Sequence, residues 1–254
     1  MLCSIASRFY YRHSVEEVDT FITICAASEG GGMEINMAED VRSAKSTAGV
    51  KEFEAVYDRP HCIVLDSAYC SMGRMIGFKA CQIGGYEYYD AVILLELVPE
   101  CGVTSDDVAA FEKKLRTGDY TGEQLKNDPE YARLAAAFDK AADIALAKGP
   151  CLIHDRLSKE EILKKGYSCT SVFTFASDLK DKIVRARISP LYCDVESDEE
   201  VIRGIHEEDS IRINWHRAHS DTEWGQADAY DLCINTDAFG RDYSAELIAK
   251  AMKG

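Results

Sequence analysis

The feature of this chain that most constrains its fold is an alternation of short apolar runs with longer helical patterns, which begins at residue 61. The runs have the length of buried strands, and they cover residues 61–65, 151–154, 171–176 and 231–235, with 86–90 a weaker fifth. Strands that are apolar along their whole length are typical of a parallel sheet, because helices cover both of its faces. The sequence therefore predicts an α/β protein with three layers, α/β/α, and a parallel sheet of about five strands.

Helical periodicity fills the segments between and after these runs. The predicted helices cover residues 73–83, 91–98, 105–115, 129–148, 159–164, 178–187, 198–219 and 244–252. Gly149 and Pro150 end the long alanine-rich helix directly before a strand, since neither residue continues a helix well. The helix at 198–219 is charged over much of its surface and lies between the last two strands. We interpret it as the centre of a mobile lid that covers residues 188–225.

The first part of the chain has a different pattern and predicts a separate, mostly helical extension. Ser14 and Glu17 form a capping box, and an amphipathic helical pattern follows them. Three glycines, Gly30–Gly32, then stop that helix and are typical of a flexible linker. The sequence therefore predicts an N-terminal extension over residues 1–58 and an α/β domain over 59–254.

The composition limits which partners the protein can have. Its formal net charge of −15 disfavours nucleic acid, because binding a polyanion needs a basic face that neutralises phosphates. No apolar stretch is long enough to span a bilayer, and the N-terminus lacks the apolar region of a signal peptide. The ten cysteines form no CxxC pair and are typical of small buried side chains in a reducing compartment. We expect a cytoplasmic protein that binds neither nucleic acid nor a membrane.

A local excess of positive charge lies within this acidic chain. Near the end of the predicted helix at 178–187, Lys180, Lys182, Arg185 and Arg187 are accompanied by a single acid. A basic patch of this size indicates a small phosphorylated ligand, whose charge has to be met locally.

The stretch from residue 61 to residue 90 predicts a strand, a polar loop and a helix. A loop between a strand's carboxyl end and a helix's amino end favours phosphate, because unpaired N–H groups and the helix dipole meet there. The sequence lacks the usual Gly-x-x-x-x-Gly-Lys-Ser/Thr pattern: Ser67 and Met72 occupy the glycine positions, Gly73 the lysine position and Arg74 the hydroxyl position. Taken alone, the loop is a weak signal, and its composition favours an ordinary strand-to-helix turn over a phosphate site.

Five segments of the chain carry one common resemblance. They are GYEYYDAVILLELVPECGVT, GPCLIHDR, VFTFASDLKDKIVRAR, Asp209-Ser210-Ile211-Arg212 and WGQADAYDLCINTDAFG. Together they resemble the cytidylate kinase-like family, bacterial relatives of the nucleoside monophosphate kinases, over residues 61–252. In that family the second segment is usually Gly-Pro-Cys-Val-Ile-Val-Gly-Arg. The last segment, close to the family's Trp-Gly-(x)n-Tyr-Asp-Leu-Cys-(x)-Asn-Thr, is the most specific.

The chain departs from the family's pattern at its centre. The family's loop, Gly-Ser-Gly-Gly-Arg, is Cys-Ser-Met-Gly-Arg here, over residues 70–74. Left-handed backbone at Cys70 and Met72 would cost about 1–2 kcal/mol each, so the loop is either strained or reshaped. Asp155 replaces the glycine before Arg156, which brings a negative charge next to the motif's arginine.

The resemblance implies a function, and the departures imply an alternative to it. The implied function is phosphoryl transfer from ATP to a nucleoside monophosphate, CMP or dCMP, with ATP and Mg²⁺ as cofactors and small-molecule nucleotides as partners. The alternative is a nucleotide-binding, regulatory or structural relative that has lost catalysis.

The resemblance also implies roles for individual residues. Arg74 replaces the missing lysine, since a guanidinium can grip two phosphate oxygens at once. The predicted catalytic residues, which such a fold would converge on the transferring phosphoryl group, are Arg74, Arg156, Arg185 and Arg212. The predicted nucleotide-binding residues are Ser67, Ser71, Gly73, Arg74, Asp90, Lys182, Arg187 and Asp209.

Three acids and two histidines have more than one reading. Asp66 and Asp155 each follow a predicted strand and are candidate Mg²⁺ ligands, although an acid there also caps a following helix. Asp90 is either an acceptor-side acid or the cap of the helix after it. His216 and His219 have the i, i+3 spacing of a helical metal pair, but no third ligand is near them in sequence, which favours solvated lid residues.

Overall fold

The computed structural model describes residues 58–253, so the predictions for the N-terminal extension lie outside the described residues. Within them, five strands form one sheet: β1 Cys62–Ser67, β2 Glu87–Tyr89, β3 Cys151–His154, β4 Cys169–Phe175 and β5 Leu232–Asn235. Their order is β2-β3-β1-β4-β5, and each neighbouring pair is parallel. The predicted parallel sheet of five strands is confirmed.

The helices follow the predicted alternation. They are α1 Gly73–Gly84, α2 Ala91–Glu96, α3 Ser105–Thr117, α4 Gly122–Lys126, α5 Pro129–Lys148, α6 Lys159–Lys164, α7 Leu179–Ile188, α8 Asp198–His219 and α9 Thr236–Ala251. The described residues contain no helix long and apolar enough to cross a membrane.

Two details of the helix prediction are wrong. The short α4 was not predicted, because Leu125 is its only buried residue and a capping box between Thr121 and Gln124 defines it instead of an apolar face. The last helix begins at Thr236 and not at residue 244. Gly240 interrupts it with φ 70°, so helical apolar spacing is visible only in its second half.

The sheet separates two apolar clusters, as the period-two alternation of strand side chains requires. Cys62 and Val64 of β1 face a cluster built with α2, α3, α5 and α8. Ile63 and Leu65 face the opposite way, toward α1 and α9. The predicted three-layer α/β/α arrangement is therefore confirmed, and the carboxyl ends of all five strands meet at one edge of the sheet.

Helix α8, predicted as the centre of a polar mobile lid, is instead packed into the first cluster. The ring centroid of Trp215 lies 5.9 Å from that of Phe111 and 5.4 Å from that of Tyr131. Asn214 is buried, and its amide nitrogen donates to the carbonyl oxygens of Leu115, at 3.0 Å, and Gly118, at 2.7 Å. Its Oδ1 accepts from the N–H of Tyr120 at 3.0 Å. A single buried amide thus ties α8 to the end of α3.

We expect Asn214→Ala to lower the free energy of unfolding by roughly 2–4 kcal/mol, because it leaves buried backbone groups without partners. Arg203→Ala on the same helix is the control. The Arg203 side chain is 68% exposed, and its one ion pair, with Glu207, is long at 3.9 Å. Its loss should therefore change the free energy of unfolding by less than about 0.5 kcal/mol. Urea unfolding monitored by Trp fluorescence measures both, and equal effects would contradict the assignment.

Candidate functional site

The loop between β1 and α1 keeps a glycine-like backbone without the glycines. Cys70 and Met72 have φ of 65° and 64°, in the left-handed region. The N–H of Ala68 donates to the carbonyl oxygen of Thr174 at 2.9 Å, and the Oγ of Ser71 lies 3.2 Å from the Thr174 Oγ1. Of the two alternatives for this loop, the structure has the strained one.

Two helices hold the loop in this shape. The N–H of Tyr69 donates to Asp209 Oδ1 at 2.6 Å, and the same carboxylate lies 3.5 Å from the ammonium of Lys182. Arg185 donates to the carbonyl oxygen of Cys70 at 3.1 Å and to Asp237 at 2.8 Å. Charged side chains of α7 and α8 therefore hold the loop backbone in place.

A cleft of about 660 Å³ opens in front of the loop. It is lined by Ser67, Ala68, Tyr69, Cys70, Met72, Gly73, Arg74, Met75, His154, Arg185, Ile188, Ser189 and Arg212, and among these described residues none is acidic. Helix α1 begins here with an N-cap, Met72, that makes no side-chain capping bond within the described part, and its first turn contains no acid. The free N–H groups, the helix dipole and three arginines all favour an anionic ligand in this cleft.

Arg74 stands at the mouth of the cleft in an ion pair with Asp90. The two side chains approach to 2.8 Å, with Arg74 70% exposed and Asp90 10% exposed. Asp90 also accepts from the N–H groups of Val92 and Ile93, both at 3.1 Å, so it caps α2 as well. An ion pair with one exposed partner contributes little, about 0–1 kcal/mol, so Arg74 can exchange Asp90 for a phosphate at small cost.

A second, much smaller cavity of about 10 Å³ lies between the carboxyl ends of β1 and β3 and helix α8. It is lined by Asp66, Asp155, Arg156, Arg212, Trp215, His216, His219 and Trp224. A cavity of this volume holds about one water molecule. Among residues 58–253, the Arg156 Nε, Arg212 Nε and His219 Nδ1 atoms in its walls have no hydrogen-bond partner. The cavity is therefore polar and suited to a bridging water.

The comparisons with known proteins show the family and support the fold. The cytidylate kinase-like family matches residues 62–238. The chain belongs to the cytidylate kinase-like family. Among solved structures, an uncharacterised protein from Eubacterium ventriosum is 16% identical, with 75% of this chain and 97% of that chain covered and a TM-score of 0.52, which supports the fold alone.

A second solved structure is less similar. It is a shikimate kinase from Acinetobacter baumannii in complex with shikimate, 12% identical, with 79% of this chain and 94% of that chain covered and a TM-score of 0.39. A score of that size carries no inference about this chain. The search of curated proteins found no match to this chain.

The site residues that the sequence predicts fall into three groups in the structure. The cleft contains Ser67, Gly73, Arg74, Arg185 and Arg212. The small cavity contains Asp66, Asp155, Arg156 and again Arg212, which borders both spaces. The remaining residues, Ser71, Asp90, Lys182, Arg187 and Asp209, line neither space and make contacts within the protein.

Two of these family positions have internal roles that the sequence did not indicate. Arg187 donates to the carbonyl oxygens of Val195 and Glu196 and to Asp198, at 2.6 Å, and so joins α7 to the start of α8. Arg156 pairs with Glu112, and its guanidinium lies 4.9 Å from the centre of the Trp215 ring. In both cases a cation predicted to contact the ligand is paired with an acid of the protein itself.

The candidate Mg²⁺ ligands Asp66 and Asp155 line the small cavity and not the cleft. Asp66 Oδ2 accepts from the hydroxyl of Tyr230 at 2.7 Å and lies 3.3 Å from His216 Nδ1. Within residues 58–253, no group of three or more His, Cys, Asp or Glu side chains has the geometry to hold a metal ion. Mg²⁺ at nucleotide sites is usually held by one or two carboxylates together with phosphate oxygens and water, so Asp66 or Asp155 would supply at most part of its coordination shell.

Sequence reasoning treated His216 as a solvated lid residue, whereas it is buried. Its Nε2 lies 3.1 Å from both oxygens of Thr222. Ile211, Trp215 and Ala218 of the same helix are buried at i, i+4 and i+7, and His216 is adjacent to that stripe. This helical spacing of apolar residues was the signal in the sequence that His216 is buried.

Sequence reasoning also missed His154, which lies at the floor of the cleft. Its Nε2 is 2.9 Å from the Oγ of Ser67, and its Nδ1 is 3.0 Å from the hydroxyl of Tyr88. Burial lowers the pKa of His154 below its usual value, which keeps the ring neutral at neutral pH. The available signal was its position in GPCLIHDR, where the family pattern has a valine.

We expect Met72→Gly to raise the free energy of unfolding by about 1 kcal/mol. Glycine adopts left-handed backbone without the cost of about 1–2 kcal/mol that Met72 incurs, and the lost packing of a half-buried side chain offsets part of that gain. Met75→Gly, at a right-handed helical position where the side chain is 53% exposed, is the control and should instead destabilise by about 1 kcal/mol. Equal losses in urea unfolding would show that the loop is not strained.

Two histidines with lowered pKa, the buried His154 and the partly buried His219, predict a pH dependence of stability. Burial lowers the pKa of His154, and burial lowers the pKa of His219 to about 3. In the unfolded chain each histidine binds a proton as the pH falls below its ordinary pKa of about 6.5, whereas the folded protein resists this protonation. The free energy of unfolding should therefore decrease as the pH falls below about 6.5. Urea titrations across this range should show a shallower fall for His219→Asn, and an unchanged slope would refute the assignment.

Proposed function

We propose that this protein transfers the γ-phosphoryl group of ATP to a nucleoside monophosphate, with CMP and dCMP as the first candidates. Membership of the cytidylate kinase-like family supports nucleotide kinase chemistry in general, and the choice of ATP and of a cytidine acceptor is part of the proposal. The observation that carries it is the cleft, in which the uncapped start of α1 and Arg74, Arg185 and Arg212 meet with no acid among the lining residues.

The chemistry suits these residues. Phosphoryl transfer requires little covalent work from the protein, and most of the catalysis comes from positioning and from stabilising the charge on the moving group. The N–H groups at the start of α1 would hold phosphate oxygens, and Arg74 would leave Asp90 to contact the γ-phosphoryl group. Asp90, released from Arg74, would then be free to accept hydrogen bonds on the acceptor side.

A second candidate function is nucleotide binding without turnover. The observation that favours it is the internal pairing of several cations that the family pattern assigns to the ligand. Arg156 pairs with Glu112, Lys182 with Asp209, and Arg187 with Asp198. Each pair would have to break before its cation could contact a phosphoryl group, and partly buried pairs break at a greater cost than exposed ones.

A coupled assay with ATP, Mg²⁺ and a panel of nucleoside monophosphates separates the two candidates. We expect transfer to occur and Arg74→Ala to lower kcat by about a hundredfold or more, with a smaller loss of ATP affinity. Arg203→Ala is the control, because its exposed side chain lies outside the residues that line the cleft.

The other outcomes are equally informative. Absence of transfer together with a nucleotide-dependent rise in Tm would favour the binding protein. Transfer that is indifferent to both Arg74→Ala and Arg156→Ala would contradict the placement of the site.

A further inference from the structure

A chain of three hydrogen-bonded side chains crosses the floor of the cleft. Ser67, the last residue of β1, lies 2.9 Å from His154 Nε2, and His154 Nδ1 lies 3.0 Å from the hydroxyl of Tyr88 in β2. Ser67 and His154 are buried, yet both line the cleft. Ser67 and His154 end β1 and β3, and Tyr88 lies in the middle of the neighbouring β2, so the sheet fixes their spacing.

The arrangement has the geometry of an activated nucleophile. When His154 Nδ1–H donates to the Tyr88 hydroxyl oxygen, the lone pair of Nε2 is left to accept the proton of the Ser67 hydroxyl. A hydroxyl, a base within hydrogen-bond reach and a third group that orients the base are the three parts that nucleophilic catalysis requires.

Ser67 also lies directly against the start of α1. A Cβ atom added to Gly73 would be 2.3 Å from the Ser67 Cβ and 2.6 Å from its Oγ. The serine hydroxyl therefore sits beside the N–H groups and arginines that attract a phosphate into the cleft. A bound phosphoryl group would be presented to this oxygen.

The proposed transfer to a nucleoside monophosphate does not require a serine–histidine pair. His154 occupies a position where the family pattern has valine, at the buried end of a central strand. A polar side chain there is favourable only when it is hydrogen-bonded, and this one is bonded on both ring nitrogens.

We propose that Ser67 is a nucleophile that accepts a phosphoryl group from a nucleoside triphosphate, with His154 as its general base. The inference rests on the proposed nucleotide site in the cleft. The Ser67 Oγ forms a bond to the γ-phosphorus as the bond from that phosphorus to the β–γ bridging oxygen breaks. The electron pair leaves with the nucleoside diphosphate, and the serine proton passes to His154 Nε2 and then to solvent. The product is a phosphoserine at residue 67.

The test is incubation of the full chain with γ-labelled ATP and Mg²⁺ in the absence of any acceptor, followed by an acid quench. We expect acid-stable label on the protein, located by peptide mass spectrometry at Ser67. Ser67→Ala should abolish it, and His154→Asn, with cooperative urea unfolding as the check that the variant is folded, should slow it by about a hundredfold or more. Ser105→Ala, at an exposed serine on α3, is the control and should label as the unmodified chain does.

Each other outcome overturns the proposal in a different way. Label that persists in Ser67→Ala would show that Ser67 is not the nucleophile. Label that forms in His154→Asn at the rate of the unmodified chain would show that His154 is not the base. An unlabelled protein that still transfers phosphoryl groups to a monophosphate leaves the proposed function intact and makes the serine–histidine pair a tie between β1 and β3. An unlabelled protein with neither transfer nor a nucleotide-dependent shift in Tm shows that the proposed function has failed as well.

Discussion

The strained loop between β1 and α1 is the constraint on which the rest of the site depends. Its shape brings the amino end of α1, Ser67 and the mouth of the cleft together, and two of its residues hold left-handed backbone that glycine would adopt more easily. A loop of that kind persists only when its surroundings over-determine it. Here Asp209, Arg185 and Thr174 do so, each from a different element.

The distribution of strain follows the same logic. Among residues 58–253, the non-glycine residues with left-handed φ are Cys70, Met72, Asp155 and Arg156, and all four lie just beyond the ends of β1 and β3. Strain of this type costs about 1–3 kcal/mol at each residue and clusters where a backbone must present groups to a ligand. The charged residues that could have contacted a ligand are partly used to maintain it, since Asp209 and Arg185 bind loop backbone. This division of labour explains why the family's cations are not all directed into the cleft.

The fold could be predicted from the sequence because each of its signals is local. Apolar runs such as the one that became β1 need burial on both faces, and this requirement alone selects a parallel sheet with helices on each side. The site could be predicted only in part, because its geometry depends on distant partners. Nothing near Arg156 in sequence indicates Glu112, and nothing near His154 indicates Ser67. The packing of α8 could not be predicted for the same reason, since its charged surface concealed the buried Asn214 and Trp215.

The most direct test of the account is whether phosphate binding depends on the close contact between Gly73 and Ser67. Isothermal titration of the full chain with tripolyphosphate measures this without any catalytic step. We predict binding by the unmodified chain and by Ser105→Ala, whose exposed side chain lies outside the cleft, and at least tenfold weaker binding by Gly73→Ala, whose added Cβ would lie 2.3 Å from the Ser67 Cβ and displace the loop without changing any charge. Gly73→Ala that remains folded and binds tripolyphosphate as tightly as the unmodified chain would contradict the account.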